Sequence, residues 1–143
     1  RLIDMGVDPY LIAPTLTLTI AQRLVRTLCP HSGKEVPIEG SLKSFVESRF
    51  NDLPDTIREK VMPTDKLYEI EPSPDCPNGT RGRMAVFEMF EMDKEIEEAI
   101  LHHATELDIR ALVRKKGMIT IQEDALIKCS KGLIPFEEVN TLA

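Results

Sequence analysis

Leu16-Thr17-Leu18-Thr19-Ile20 alternates apolar and polar side chains with a period of two, which predicts a strand continuing through Arg23 and Val25 to Leu28. Ahead of it, Asp8-Pro9 is a helix start, a capping acid followed by proline at the first helical position. That helix runs through Ile12 and is disturbed by Pro14, so the handover from helix to strand falls between Thr15 and Thr19. The character changes over 29–80, where seven prolines force short elements joined by turns. Ser41 to Phe50 reads as a helix with Leu42, Phe45, Val46 and Phe50 on one face. Pro54 to Val61 reads as another, with Asp52 or Asp55 near its start. Lys66 to Ile70 is a short strand, and Pro72 to Gly79 is a loop by every local signal.

The second half is plainer. Met84 to Phe90 is apolar on both alternating sides apart from Glu88, which predicts a strand buried on both faces. Asp93 then caps a helix with Ile96, Ala99, Ile100 and His103 at helical spacing. Thr105 or Asp108 starts the next, with Ile109, Leu112 and Val113 inward. Arg114, Lys115 and Lys116 place charge at its C-terminal end, where the helix dipole favours it, and Gly117 closes it. Ile121 to Cys129 and Pro135 to Leu142 make two further helices, with Gly132 ending the first. The whole is α+β and mainly α: a few-stranded sheet, a small inserted knuckle and a C-terminal helical bundle. The first strand and the strand around Met84 are expected to pair.

Composition narrows the function classes. The chain has 143 residues, 42% hydrophobic and 29% charged, ordinary for a soluble globular protein of one domain or two very small ones. A net charge of −6 without a basic stripe argues against nucleic acid as a partner. The longest apolar stretch, Leu11 to Ala21, is too short and too rich in threonine to span a bilayer, so no direct membrane insertion is expected. No secretory signal is visible, and Arg1-Leu2-Ile3-Asp4 reads like the middle of a helix, which suggests a fragment. Cys29, Cys76 and Cys129 are an odd number, which does not suggest a disulfide framework and points to a reducing, cytosolic compartment.

Few side chains suggest chemistry by themselves. His102 and His103 are adjacent on the expected helix, so they do not converge; one packed and one solvated is the simpler reading. Glu95, Glu97, Glu98 and Glu106 form a solvated acidic face, and Met84, Met89 and Met92 are core filler or a contact surface. Cys129 is a buried helical cysteine. No Ser/His/Asp or Cys/His nucleophilic arrangement is present. By spacing alone Arg83 is a surface arginine after a glycine turn, and Arg23 belongs to an ordinary salt bridge.

One ordered set of motifs changes that picture. Ala21-Gln22-Arg23-Leu24-Val25-Arg26 leads into Cys29-Pro30-His31; Cys76 and Gly82-Arg83-Met84-Ala85-Val86-Phe87-Glu88 follow; Gly117-Met118, Asp124, Gly132 and Glu137-Glu138-Val139 come last. In this order and at about these distances the set resembles the C-terminal part of the type II secretion and type IV pilus assembly ATPases. The resemblance covers nearly the whole chain and is strongest over 1–31 and 82–140. It implies a fragment of a RecA-like hexameric ATPase in three parts: 1–28, the end of the ATPase core; 29–81, an inserted metal-binding-type subdomain; and 82–143, a return strand plus helical bundle. The chain contains no Gly-x-x-x-x-Gly-Lys-Ser/Thr phosphate loop, so no hydrolysis is expected from it alone.

The resemblance also assigns expectations to residues. Arg83 matches the arginine that in the family serves the nucleotide site or the subunit contact, where a guanidinium stabilises charge on a transferring phosphoryl group; Arg23 is the lesser candidate, with Arg26 beside it. No catalytic residue is expected here. ATP and magnesium are implied for the full-length protein and not for this region. The implied partners are neighbouring subunits of a homohexamer and an inner-membrane platform protein, at the cytoplasmic face of the inner membrane. The family often holds zinc with two Cys-x-x-Cys pairs, but here Ser32 and Ser73 stand where two of the cysteines would be. A site from Cys29, His31, Cys76 and Asp75 is chemically possible; the expectation is no metal. In that case Leu42, Phe45, Phe50, Leu53, Ile57 and Val61 give the insert a small core of its own and make it the least stable segment. The long insert looks more like secretion and extension members than retraction motors, which join these strands by a short turn. The alternative from another class is a stand-alone interaction module with a vestigial metal knuckle. A zinc enzyme would need an open metal site and a general base, which the sequence does not offer.

Overall fold

In the computed structural model, which describes residues 2–142, the alternating segment is β1 (Leu18–Leu28) and pairs antiparallel with β4 (Thr80–Glu91). The ladder runs from Leu18 opposite Glu91 to Arg26 opposite Arg83, then shifts register before Leu28 meets Thr80. The pairing is the one the sequence suggests, but β4 begins four residues before Met84. Thr80 to Arg83 carry no apolar signal and are held in the ladder by their partners on β1.

Alternation gives this ribbon two unlike faces. Val25 and Val86 are buried on the inner one, whereas Leu18, Ile20, Leu24 and Met89 are exposed on the outer one, Leu24 to 61% and Met89 to 47%. The expectation that β4 is buried on both faces is therefore corrected: on its Met89 side Ala85 and Phe87 are only partly buried and Met89 is exposed. Both free edges of the ribbon are met by groups from the C-terminal helices and the turn after Ser130. On β4, the Phe87 N–H donates to Asp124 Oδ2 at 2.8 Å and Lys128 Nζ donates to the Ala85 carbonyl at 2.9 Å. On β1, the Arg26 N–H donates to Glu138 Oε2 at 2.9 Å, and the Leu28 N–H donates to the Leu133 carbonyl at 3.0 Å. Satisfying these groups blocks further strand addition where they lie.

The first helix, α1 (Pro9–Thr15), extends past Ile12 with Pro14 inside it. Asp8 caps it by accepting from the Tyr10 N–H at 2.9 Å. The insert adds β2 (Lys34–Pro37), α2 (Gly40–Phe50), α3 (Asp55–Val61) and β3 (Lys66–Glu69). β2 was not expected: four residues with one inward apolar side chain and a terminal proline show no periodicity. Its antiparallel pairing with β3 brings Glu35 to Lys66 Nζ at 2.6 Å and to the Tyr68 hydroxyl at 2.9 Å.

The C-terminal part holds α4 (Lys94–Leu101), α5 (Glu106–Lys115), α6 (Ile121–Ser130) and α7 (Phe136–Asn140), seven helices in all among the described residues. Asp93 caps α4 by accepting from the Ile96 N–H at 3.0 Å. Thr105 with Asp108, and Thr120 with Glu123, form reciprocal capping boxes at α5 and α6. The two histidines lie outside α4. His102 is its C-cap, His103 takes a left-handed φ of 57°, and both are exposed, against the expectation of one packed and one solvated. Gly117 has a φ of 96°, and a Cβ there would stand 2.1 Å from Ile57 Cδ1, so only glycine lets α5 end against α3.

The apolar core does not follow the three segments. Val25 and Val86 of the ribbon, Ile38, Val46, Phe50, Leu53 and Leu67 of the insert, and Ala125, Leu126, Cys129, Ile134 and Val139 of the helices form one cluster. Leu42, Phe45, Ile57 and Val61 pack against that same cluster, so the insert has no separate core. Phe45 meets Phe136 edge to face at 5.7 Å across the boundary. The reading of the cysteines is also corrected: Cys29 and Cys76 are joined in a disulfide, and Cys129 is buried and free. An odd count leaves room for one pair when two turns bring distant cysteines together.

Candidate functional site

Three arginines on the ribbon were candidates, and the register decides how they relate. Arg26 and Arg83 face each other across the ladder, while Arg23 pairs with Val86 and is an odd number of positions from Arg26. Side chains alternate along a strand, so Arg23 points to the inner side and Arg83 to the outer. The ribbon therefore does not bring the two predicted residues together. Arg26 is already engaged: its Nε donates to Glu138 Oε1 at 2.7 Å, and the Glu138 side chain is nearly buried. Arg83 is exposed and makes no hydrogen bond or ion pair among the described residues.

Arg23 stands at the wall of an open cavity of about 650 Å³ between the ribbon and the helices. Arg49, Arg110, Glu88, Asp52 and Glu123 share that wall. The last two carboxylates are committed to Arg114, which is 7% exposed, beside Glu123 at 1%. The Arg114 guanidinium donates through Nε and Nη2 to Asp52 Oδ1 at 2.9 and 2.6 Å, and through Nη1 to Glu123 Oε2 at 2.7 Å. A further bond joins Nη2 to Glu123 Oε1, and the Met118 and Arg49 carbonyls accept at 2.7 and 3.1 Å. Burial alone would push the guanidinium down, but its hydrogen bonds to Glu123 and Asp52 more than reverse this and hold it up. The same contact with Arg114 keeps the Asp52 carboxyl below its usual range.

Arg114 lies in the last turn of α5, as expected, and in addition ties the α2–α3 connection, α5 and α6 together. Sequence reasoning had no signal for this, because its partners lie 62 and 9 residues away. At the C-cap of the same helix, Lys116 Nζ meets Asp93 at 2.7 Å and Glu95 at 2.6 Å.

The two cysteine turns lie where the family's metal knuckle would be. Both sulfurs are consumed in the Cys29–Cys76 bond, and Ser32 Oγ donates to the Cys29 carbonyl at 2.8 Å. No group of three His, Cys, Asp or Glu side chains able to hold a metal exists among the described residues. With the two sulfurs bonded to each other, neither is a thiolate that could ligate zinc.

The site thus consists of an antiparallel ribbon edged by groups from the helical side, with Arg83 exposed on its outer face and the helices behind its inner one. The sequence model of the family described as "Type II/IV secretion system protein" matches residues 1–141, and the chain belongs to that family. Its relatives are ATPases of pilus assembly and type II secretion. The type IV pilus assembly ATPase PilB of Pseudomonas aeruginosa is 32% identical over 98% of this chain. The PilB of Thermus thermophilus is 33% identical over 97% of it, and the type II secretion system protein E of Xanthomonas campestris pv. campestris 31% over 97%. The chain spans only 23%, 15% and 23% of the lengths of these three. No helix among the described residues is long and apolar enough to cross a membrane.

Proposed function

We propose that this chain is the C-terminal, non-catalytic region of a type II secretion or type IV pilus assembly ATPase. It packs against the neighbouring subunit and couples ATP hydrolysis to pilus or pseudopilus assembly. The observation that carries this reading is the outer face of the β1–β4 ribbon, where Leu18, Ile20, Leu24 and Met89 are exposed beside Arg83 in a chain matching the family over 1–141. A contiguous apolar face of this kind is a contact surface. In the full-length protein it is covered by the ATPase core, of which residues 1–28 form the end.

In this reading Arg83 reaches the nucleotide of its own or the adjacent subunit, and Arg23 lines the inner cavity behind it. ATP and magnesium belong to the full-length ATPase; this chain holds no phosphate loop. The assembly is a homohexamer at the cytoplasmic face of the inner membrane, driving a platform protein there. The test is the full-length protein itself, purified and measured for mass in solution and ATP turnover with magnesium. A hexamer that hydrolyses ATP is expected. A monomer without turnover would overturn the assignment.

A further inference from the structure

Cys29 directly follows β1, and Cys76 lies four residues before β4, so their sulfurs meet at the base of the ribbon. Each cysteine sits in its own tight turn. The Ser32 N–H and Oγ both donate to the Cys29 carbonyl, at 3.1 and 2.8 Å. Ser73 and Cys76 exchange both backbone hydrogen bonds, at 3.1 and 3.0 Å, and the Cys29 N–H donates to the Gly79 carbonyl at 3.3 Å. These turns hold the two residues with a Cα–Cα distance of 6.6 Å, within reach of a disulfide, and no metal is needed to hold them there. The bond closes 47 residues of chain separation, which contain β2, α2, α3 and β3. Arg26, three residues before Cys29, faces Arg83, seven residues after Cys76.

We infer that Cys29 and Cys76 are a reversible redox latch: a dithiol–disulfide pair that replaces a metal in closing the insert and fixes the base of the ribbon carrying Arg83. The exchange partner is a small-molecule disulfide of the glutathione class. Cys29 is buried and Cys76 half-buried, so the reagent meets Cys76 first. The Cys76 thiolate attacks one sulfur of the reagent, whose disulfide bond breaks and releases a thiolate that takes up a proton. The Cys29 thiolate then attacks the mixed disulfide, the Cys29–Cys76 bond forms, and the second small thiol leaves. Two protein thiols are oxidised and one small disulfide is reduced to two thiols, with no other oxidant. Cys129 stays outside the exchange. Its sulfur is fully buried between the Tyr68 N–H and carbonyl at 3.5 and 3.4 Å, and burial pushes the thiol up to about 11. The pair's chemistry is independent of any nucleotide role of Arg83 and is read in this chain alone.

The test equilibrates the full chain with graded ratios of reduced to oxidised glutathione, quenches with an alkylating reagent in denaturant, and weighs the intact protein. Elemental analysis of zinc accompanies each point. The expected count moves from three alkylated cysteines at the reducing end to one at the oxidising end, with no zinc at either. The oxidised form should melt about 10 °C higher. On reduction, the Leu28, Cys29 and Gly79 amides should exchange with solvent faster while Leu126 is unchanged. The double variant Cys29→Ser/Cys76→Ser should behave as the reduced form at every ratio; if it does not fold, the titration of the unaltered chain still decides. Three alkylations at every ratio, one at every ratio, equal melting of the two forms, or stoichiometric zinc in the reduced chain would each overturn the latch.

Discussion

Arg114 and Arg83 occupy opposite kinds of environment. Arg114 is buried, with two carboxylates and two carbonyls around its guanidinium; Arg83 stands exposed on the outer face of the ribbon with none. The helical side is interlocked, because its polar groups are spent on each other or on the edges of the ribbon. The ribbon's outer face presents apolar side chains and a cation with no internal use. A charge that the fold consumes is structural, and a charge left pointing outward beside an apolar stripe is available to a partner.

Replacing Arg114 breaks the consumed side. Arg114→Met leaves Glu123 buried without its counter-charge and should cost about 3–5 kcal/mol, measured by denaturant unfolding. Phe50→Ala should cost about the same, because a large aromatic leaves the shared core. It should shift the single unfolding transition of the whole chain rather than release a separate transition of the insert. Two transitions would mean that the insert is an independent unit after all. Glu138→Gln weakens the contact that holds both the Arg26 side chain and its backbone N–H, and about 2 kcal/mol is expected from a charge-assisted pair of bonds.

The difference between the two regions also explains what was legible in the sequence. Helix starts were readable because capping is local: Asp8, Asp93 and Thr105 sit within three residues of the groups they satisfy. The pairing of β1 with β4 was readable from alternation and the family order. β2 was not, since four residues cannot display a period. The merging of the insert with the helical core was equally hidden, because Phe50 and Leu67 meet Leu126 and Cys129 only through the chain's long-range return. The cysteine pair was missed because its count was odd and its partners lie 47 residues apart. Of the site, Arg23 and Arg83 could be named from motifs, but only the register separates them onto opposite faces.

Smaller effects sharpen the contrast. Asp52 has a lowered folded value, so its contribution is complete above the usual carboxylate range and is lost as pH falls through that lowered value. Its side chain is 64% exposed, and solvent screening keeps the effect small. Asp52→Asn should therefore lower stability by less than about 1 kcal/mol at neutral pH, with the gap to the unaltered chain closing below about pH 4. Melting curves at pH 7 and pH 3 check the sign, and a gap that widened in acid would contradict it.

The most direct measurement is Arg83→Ala, made both in this chain and in the full-length protein. The chain should melt within about 1 °C of the unaltered one, since an exposed side chain without internal partners contributes little to folding. The full-length protein should keep its oligomeric mass or lose it, and in either case its ATP turnover should fall at least about tenfold. Unchanged turnover with the variant folded would show that the outward arginine has no partner, and the division between the two regions would lose its functional meaning.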